Sequence, residues 1–177
     1  MSLHLRGLFL GLVLSVFILS FSIPCLGEPA EERKLTLYNL HTHERLEIIY
    51  KKGDQYIHQA LQEISFIMWD NRTGKIHPID PKLLDFLFDL LAEVKYKGDV
   101  HIVSGYRSPE TNNRLRKGDP GIANGSLHMQ GKALDFRLPG VDTRMLRDKA
   151  LATKRGGVGY YKRQDFIHID MGRVRFW

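Results

Sequence analysis

Two segments carry the histidines and aspartates of most interest: Ser126-Leu127-His128-Met129-Gln130-Gly131-Lys132-Ala133-Leu134-Asp135 and Asp165-Phe166-Ile167-His168-Ile169-Asp170. Two imidazoles and one carboxylate are a usual ligand set for catalytic zinc, which keeps its fourth position for water. The sequence therefore predicts a Zn²⁺ site formed by His128, Asp135 and His168. Taken alone, these segments leave two alternatives open. They are a chance spacing of His and Asp, and an ordinary hydrogen-bonded pair of His168 and Asp170.

Both segments also show the alternation of a β-strand. Gly131 permits a turn before a predicted strand over residues 133–137, on which Asp135 faces away from its apolar neighbours. In the second segment His168 and Asp170 fall on one face, and the apolar residues around them fall partly in the core. The predicted ligands thus belong to strands of one sheet.

The N-terminus has the pattern of an export signal. Arg6 precedes an almost continuous apolar run over residues 7–22, and the small residues at Cys25–Gly27 predict cleavage before Glu28. An uncleaved membrane anchor is the alternative, because the whole segment is nearly long enough to span a bilayer. We therefore expect residues 1–27 to be a signal peptide and the protein to act in the periplasm.

Length and charge limit the number of domains and the kinds of binding partner that we expect for the mature chain, residues 28–177. About 150 residues are enough for one domain with a hydrophobic core. The formal net charge falls from +6 to about +5 on cleavage, since Arg6 is the only charged residue removed. A basic surface suits nucleic acid, membranes or anionic polymers. Export argues against nucleic acid, and we expect a cell-wall polymer as partner and no membrane span after cleavage.

Hydrophobic spacing predicts the remaining elements. Residues 34–50 form a β-hairpin with His41 and His43 in its loop, and residues 55–69 form an amphipathic helix. Asp80 and Pro81 begin a core helix. Further helices start after Ser108 and Asp142, and further strands cover residues 100–103, 158–161, 166–171 and 174–176. These elements predict a single α+β domain whose central antiparallel sheet carries the metal ligands, with helices packed on one side.

The pattern Ser-x-His-x-x-Gly-x-Ala-x-Asp, followed by a histidine on a strand, resembles the zinc peptidases that include D-Ala-D-Ala carboxypeptidases, lysostaphin and the hedgehog amino-terminal domain. Three flanking segments resemble the YcbK-like (MepK-type) murein endopeptidases of Gram-negative bacteria. They are Ser104-Gly105-Tyr106-Arg107-Ser108, Gly156-Gly157-Val158-Gly159-Tyr160-Tyr161 and Asp170-Met171-Gly172-Arg173-Val174-Arg175-Phe176-Trp177. The resemblance extends from about Lys34 to Trp177.

This resemblance implies a zinc-dependent murein endopeptidase that hydrolyses amide bonds in the stem-peptide cross-links of peptidoglycan. It implies that Arg107 steadies a substrate carbonyl or carboxylate. Asp165, three residues before His168, stands where related peptidases often carry an acidic general base. Asp170 is the alternative, either as the base or as a residue that orients an imidazole.

Two other functions stay open at this point. One is a D-Ala-D-Ala carboxypeptidase or an L-alanyl-D-glutamate peptidase, which uses the same chemistry on a different bond. The other is a non-catalytic, zinc-containing module that binds the cell wall. The metal ligands do not separate the peptidase activities from one another. A closed fourth metal position, or the lack of an acidic group within reach of the metal, would favour the binding module.

Overall fold

The computed structural model describes residues 30–119 and 121–177. The predicted signal peptide, residues 1–27, lies outside this part of the chain. Among the described residues, no helix is long and apolar enough to cross a membrane.

The described fold contains an eight-stranded sheet and four α-helices. The strands are β1 (Glu32–Asn39), β2 (Arg45–Lys52), β3 (Gln55–Tyr56), β4 (Val100–Ser104), β5 (Ala133–Arg137), β6 (Gly157–Tyr161), β7 (Phe166–Asp170) and β8 (Arg175–Phe176). The helices are α1 (His58–Ile67), α2 (Pro81–Glu93), α3 (Pro109–Gly118) and α4 (Thr143–Ala152). The strand order in the sheet is β3-β2-β1-β4-β5-β7-β6-β8.

The sheet is mixed, although its centre is antiparallel. The strand pairs β4–β5, β5–β7 and β6–β7 are antiparallel, as predicted for the part of the sheet that carries the ligands. The pairs β1–β4 and β6–β8 are parallel, which the sequence did not predict. Parallel pairing of β1 with β4 requires a long crossover between them, and α1 and α2 lie in that crossover.

One hydrophobic core joins the sheet to α1, α2 and α4. Helix α2 begins as predicted, because the Asp80 side chain accepts a hydrogen bond from the Lys82 backbone N–H and Pro81 occupies the first turn. Its apolar side chains fall at helical spacing and are buried: Leu83, Leu84, Phe86, Leu87, Leu90 and Leu91. Full burial of such a side chain contributes roughly 1.5–3 kcal/mol, so this helix provides much of the core.

The start of α1 differs from the prediction. Gln55 and Tyr56 form β3, which pairs with β2, and the helix begins only at His58. The Tyr56 hydroxyl donates a hydrogen bond to Asp85 Oδ2 at 2.6 Å, which holds this residue beside α2. Pairing and this hydrogen bond both depend on distant residues, and they override the local helical spacing.

Candidate metal centre

The three predicted ligands come together on the face of the sheet opposite the core. Asp135 on β5 and His168 on β7 are direct cross-strand partners, and His128 lies on a short 3-10 helix, Leu127–Gln130. His128 Nε2 lies 3.3 Å from Asp135 Oδ1 and 3.2 Å from His168 Nδ1. Asp135 Oδ1 and His168 Nδ1 are 2.7 Å apart. All three side chains are buried, and their ligand atoms are close enough together to hold one metal ion.

The outer nitrogen of each imidazole faces a hydrogen-bond acceptor. His128 Nδ1 lies 2.7 Å from the Gly105 carbonyl oxygen, and His168 Nε2 lies 3.0 Å from Asp170 Oδ2. A carbonyl oxygen only accepts, so His128 Nδ1 carries the proton and Nε2 of the neutral ring presents a lone pair. In the same way, the Asp170 carboxylate accepts a hydrogen bond from His168 Nε2, which leaves the lone pair of a neutral His168 ring on Nδ1. Two nitrogen lone pairs and a carboxylate oxygen then face one point, and a divalent metal ion fits such a set of acceptors.

The charge states of these groups also suit a metal. Burial is the largest influence on the pKa of His128 and lowers it, so this ring is neutral near pH 7. Burial alone would raise the pKa of Asp135, but the adjacent imidazoles outweigh burial and hold the pKa well below its usual range. Metal ligands bind as neutral imidazole and ionised carboxylate. His168 is the exception, because its hydrogen bonds to Asp135 and Asp170 outweigh burial and raise its pKa. A metal ion must therefore displace the Nδ1 proton of His168 in order to bind.

Asp170 is fully buried and anchors His168 from behind. Besides the His168 ring, its carboxylate accepts hydrogen bonds from the backbone N–H groups of Gly157 and Gly172. Arg175 donates two further hydrogen bonds to the Asp170 carboxylate, from Nη2 at 2.6 Å and from Nη1 at 3.1 Å. These contacts outweigh burial and hold the pKa of Asp170 well below its usual range. A carboxylate held in this way is suited to orient an imidazole, one of the two roles predicted for it.

Two residues beside the cluster, Arg175 and Trp177, have no role in the sequence prediction. Glycines on β6 make room for both. A Cβ atom on Gly157 would lie 2.5 Å from Arg175 Nη1, and one on Gly159 would lie 2.7 Å from the Trp177 ring. The Trp177 ring centroid lies 5.1 Å from that of His168. The matching two-residue spacing of the glycines and of Arg175 and Trp177 is the signal from which this packing was predictable.

Arg107 lies beside the cluster, as predicted. It follows β4 after Gly105 and Tyr106, and its Nη2 lies 3.6 Å from Asp135 Oδ2. Its side chain is 11% exposed, and burial lowers the pKa of the guanidinium, an effect that the Asp135 carboxylate opposes. Its Nε has no hydrogen-bond partner among the described residues. That nitrogen is buried, and Nη2 is the guanidinium nitrogen that lies beside the metal ligands.

Asp165 is not brought to the cluster. It lies in the exposed turn between β6 and β7 with a φ of +54°, and its carboxylate accepts a hydrogen bond from the Thr143 hydroxyl at the start of α4. The turn directs the Asp165 side chain towards α4. The position of Asp165 therefore gives no support to its predicted role as general base.

The cluster opens into a cavity of about 670 Å³. The loop that follows α3 forms one side through Gly121, Ile122 and Ala123. The other side is formed by side chains from β6, β7 and the C-terminal segment: Tyr161, Phe166, Arg175 and Trp177. A cavity of this size falls within the usual volume range of ligand-binding pockets.

Comparison with known proteins places this site in a family. The family model described as peptidoglycan L,D-endopeptidase MepK matches residues 28–177. The peptidoglycan L,D-endopeptidase MepK of Escherichia coli strain K12 is 42% identical over 145 residues, which cover 82% of this chain and 80% of the relative. The probable peptidoglycan L,D-endopeptidase MepK of Haemophilus influenzae is 33% identical over 168 residues, 94% of this chain and 90% of the relative.

No solved structure matches the chain significantly. The family match nevertheless covers every described strand and helix, and it includes the His128, Asp135 and His168 cluster. The chain belongs to the MepK family of peptidoglycan L,D-endopeptidases.

Proposed function

We propose that this protein is a zinc-dependent endopeptidase that hydrolyses amide bonds in the stem-peptide cross-links of peptidoglycan. The main support is the convergence of His128 Nε2, Asp135 Oδ1 and His168 Nδ1 beside Arg107 in an open cavity. The relatives are named L,D-endopeptidases, so we propose that the bond cleaved here is a cross-link amide that joins an L-configured centre to a D-configured centre. We also propose that residues 1–27 direct export and that residues 28–177 act in the periplasm.

The chain's own residues hold and orient the reacting groups. When bound, zinc supplies a Lewis acid that makes a water molecule nucleophilic near neutral pH. Gly105 and Asp170 fix the two imidazole rings so that the lone pairs of His128 and His168 face the metal position. We assign Arg107 to the carbonyl oxygen of the scissile amide, because its Nη2 lies beside the ligand Asp135 and the residue lines the cavity. A fixed cation there stabilises the negative charge that develops on the oxygen.

The bond specificity is tested with two purified muropeptide dimers, one joined by an L,D cross-link and the other by a D,D cross-link. The zinc-loaded mature chain is incubated with each dimer, and products are identified by mass spectrometry. We expect cleavage of the L,D dimer only, and none by the His168→Ala variant, which lacks one ligand.

Three other results would replace the proposal. Release of a terminal D-alanine from a pentapeptide would make the protein a carboxypeptidase. Cleavage between L-alanine and D-glutamate would make it an L-alanyl-D-glutamate peptidase. Binding to sacculi by a folded, zinc-loaded chain without release of any fragment would make it a binding module.

A further inference from the structure

Tyr161 lies on the cavity face of the sheet, two cross-strand pairs away from a metal ligand. In the pairing of β6 with β7, Gly159 stands opposite His168 and Tyr161 stands opposite Phe166. Residues two apart on a strand share a face, so Tyr161 projects on the same side as His168. Its ring stacks on Phe166 with centroids 4.4 Å apart, and both residues line the cavity.

The Tyr161 hydroxyl already accepts one hydrogen bond, from Trp177 Nε1 at 3.1 Å. An indole N–H only donates, so the hydroxyl must be the acceptor and its own hydrogen is available for another partner. Within residues 30–119 and 121–177 this hydrogen has no acceptor. Tyr161 therefore presents a hydrogen-bond donor to the cavity.

The backbone of Trp177 pairs with β6, and its half-exposed indole ring packs on that strand. Its backbone N–H donates to the Val158 carbonyl at 3.3 Å, and its own carbonyl accepts from Tyr160 N–H at 3.0 Å. The indole ring fills the space above Gly159, where a Cβ atom would lie 2.7 Å away. These contacts hold the indole against β6, the strand that carries Tyr161.

The strand order places Tyr161 and Arg107 on opposite sides of the metal ligands. Arg107 follows β4, the ligands Asp135 and His168 lie on β5 and β7, and Tyr161 lies on β6, in the order β4-β5-β7-β6. The charges of Asp135 and Arg107 both act on the pKa of Tyr161, which burial raises. The hydroxyl is therefore protonated at neutral pH, and Tyr161 lines the same cavity as Arg107, Asp135 and His168.

We propose that Tyr161 is a further catalytic residue, which donates a hydrogen bond to the substrate oxygen that gains negative charge when the amide is attacked, and that Trp177 is its positioning residue. This inference rests on the proposed peptidase function. A donor fixed in advance towards developing charge stabilises the transition state more than the bound substrate.

The test compares Tyr161→Phe with Tyr160→Phe on the L,D-linked dimer. Tyr160 is a matched control on the same strand, since its ring packs under the Arg147 guanidinium, 4.7 Å away, and is not part of the cavity lining. We expect Tyr161→Phe to lower kcat by about 10²-fold with little change in KM. Tyr160→Phe should retain the wild-type kcat, and both variants should keep the wild-type zinc content and melting temperature.

Trp177→Phe tests the positioning role, because it keeps an aromatic ring and removes the N–H donor. We expect a smaller loss of kcat than in Tyr161→Phe. The double variant should be no slower than Tyr161→Phe alone, since Trp177 acts through the hydroxyl. An additive loss in the double variant would overturn the positioning role.

Two results would overturn the catalytic role of Tyr161 while leaving the peptidase function intact. One is a wild-type kcat in Tyr161→Phe. The other is a raised KM at unchanged kcat, which would mean that the hydroxyl only binds the ground state. A wild-type chain that cleaves no dimer would instead refute the peptidase function, and the inference with it.

Discussion

Asp170 shows at the scale of one residue how the candidate site is stabilised. Its carboxylate accepts from His168, Gly157, Gly172 and Arg175 and is fully buried. Such a group is poorly placed to take a proton from water, because its lone pairs are already used and its pKa is well below the usual range. Its contribution is to keep His168 Nε2 protonated and Nδ1 turned towards the metal position.

Replacing Asp170 should therefore weaken metal binding. We expect Asp170→Asn to lower zinc affinity by about 10–100-fold, the usual loss when the partner of a ligating histidine is removed. Competition with a chromophoric chelator measures this change. Asp165→Asn is the control and should keep both zinc affinity and turnover. If Asp165→Asn lost turnover but kept its zinc, Asp165 would be the general base despite its contact with Thr143.

Asp70 gives a prediction about stability and pH. It is 2% exposed, and its carboxylate accepts from the backbone N–H groups of Ser108 at 2.9 Å and Arg72 at 3.0 Å. Burial alone would raise its pKa, but the neighbouring hydroxyls of Ser108 and Thr111 and the backbone hydrogen bonds from Ser108 and Arg72 outweigh burial and lower the pKa to about 2. The ionised form thus ties the loop after α1 to the N-terminus of α3.

Because the folded pKa is lowered, this stabilisation is complete above the ordinary aspartate value of about 3.9 and is lost as the pH falls through about 2. We expect Asp70→Asn to lower the free energy of unfolding by about 1.5–3 kcal/mol near neutral pH. The difference from wild type should shrink at about pH 3. Urea unfolding at both pH values measures it, and an equal difference at both would refute the role of the ionised carboxylate.

At this scale the sequence predicted more of the metal cluster than of its surroundings. His128, Asp135 and His168 were predictable because few side chains bind zinc and because strand alternation sets which face each occupies. The side-chain direction of Asp165 was not predictable, since it depends on the positive φ of that residue and on Thr143. The bidentate contact of Arg175 with Asp170 needed the parallel pairing of β8 with β6.

At the scale of elements, the passage from the short 3-10 helix into β5 delivers two of the three ligands. Gly131 ends that helix with a φ of +64°, and its carbonyl accepts a hydrogen bond from Asp80 N–H at 2.9 Å. A Cβ atom at this position would lie 2.1 Å from the Pro78 carbonyl oxygen. The residue therefore needs both the left-handed backbone conformation and the absence of a side chain.

Gly131→Ala and Gly140→Ala separate these two requirements. Gly140 has a φ of +80°, but a Cβ atom there meets nothing within 4 Å. We expect Gly140→Ala to cost about 1 kcal/mol of backbone strain, and Gly131→Ala to cost about 1–3 kcal/mol more because the Pro78 backbone must move. Thermal unfolding measures both variants. Equal losses would mean that the contact with Pro78 is not limiting.

The sequence predicted elements well where the signal is local. The hairpin, α2 and β5 follow from alternation, helical spacing and an N-cap, all of which lie within the element itself. The two-residue strand β3 and the strand order do not have such signals, because they depend on partners far away in the chain. Tyr56 illustrates this, since its hydrogen bond to Asp85 links β3 to a helix that begins much later.

At the scale of the whole molecule, the hydrophobic core is independent of the metal cluster. Core side chains of the ligand strands, Leu134, Phe136, Ile167 and Ile169, point away from the cavity and pack with α2 and α4 in one cluster. A fold with a core of this kind does not need a metal ion to form, in contrast to a zinc finger. The metal-free chain should therefore be folded.

Chelation of the mature chain tests this independence. We expect the far-ultraviolet circular dichroism spectrum to be retained, with one cooperative thermal transition at a lower temperature than in the zinc-loaded form. The lower temperature follows because zinc binds only the folded state. Loss of the spectrum on chelation would show that the metal, and not the core, holds the domain together.

The central claim is that the His128, Asp135 and His168 cluster holds the zinc ion needed for cleavage of peptidoglycan cross-links. The most direct measurement is release of peptide fragments from purified sacculi by the chelated mature chain, before and after one equivalent of zinc is added, with His168→Ala in parallel. We predict no release before addition, recovery with about one zinc per chain, and no recovery in His168→Ala. Equal release by the chelated chain or by His168→Ala would contradict the account.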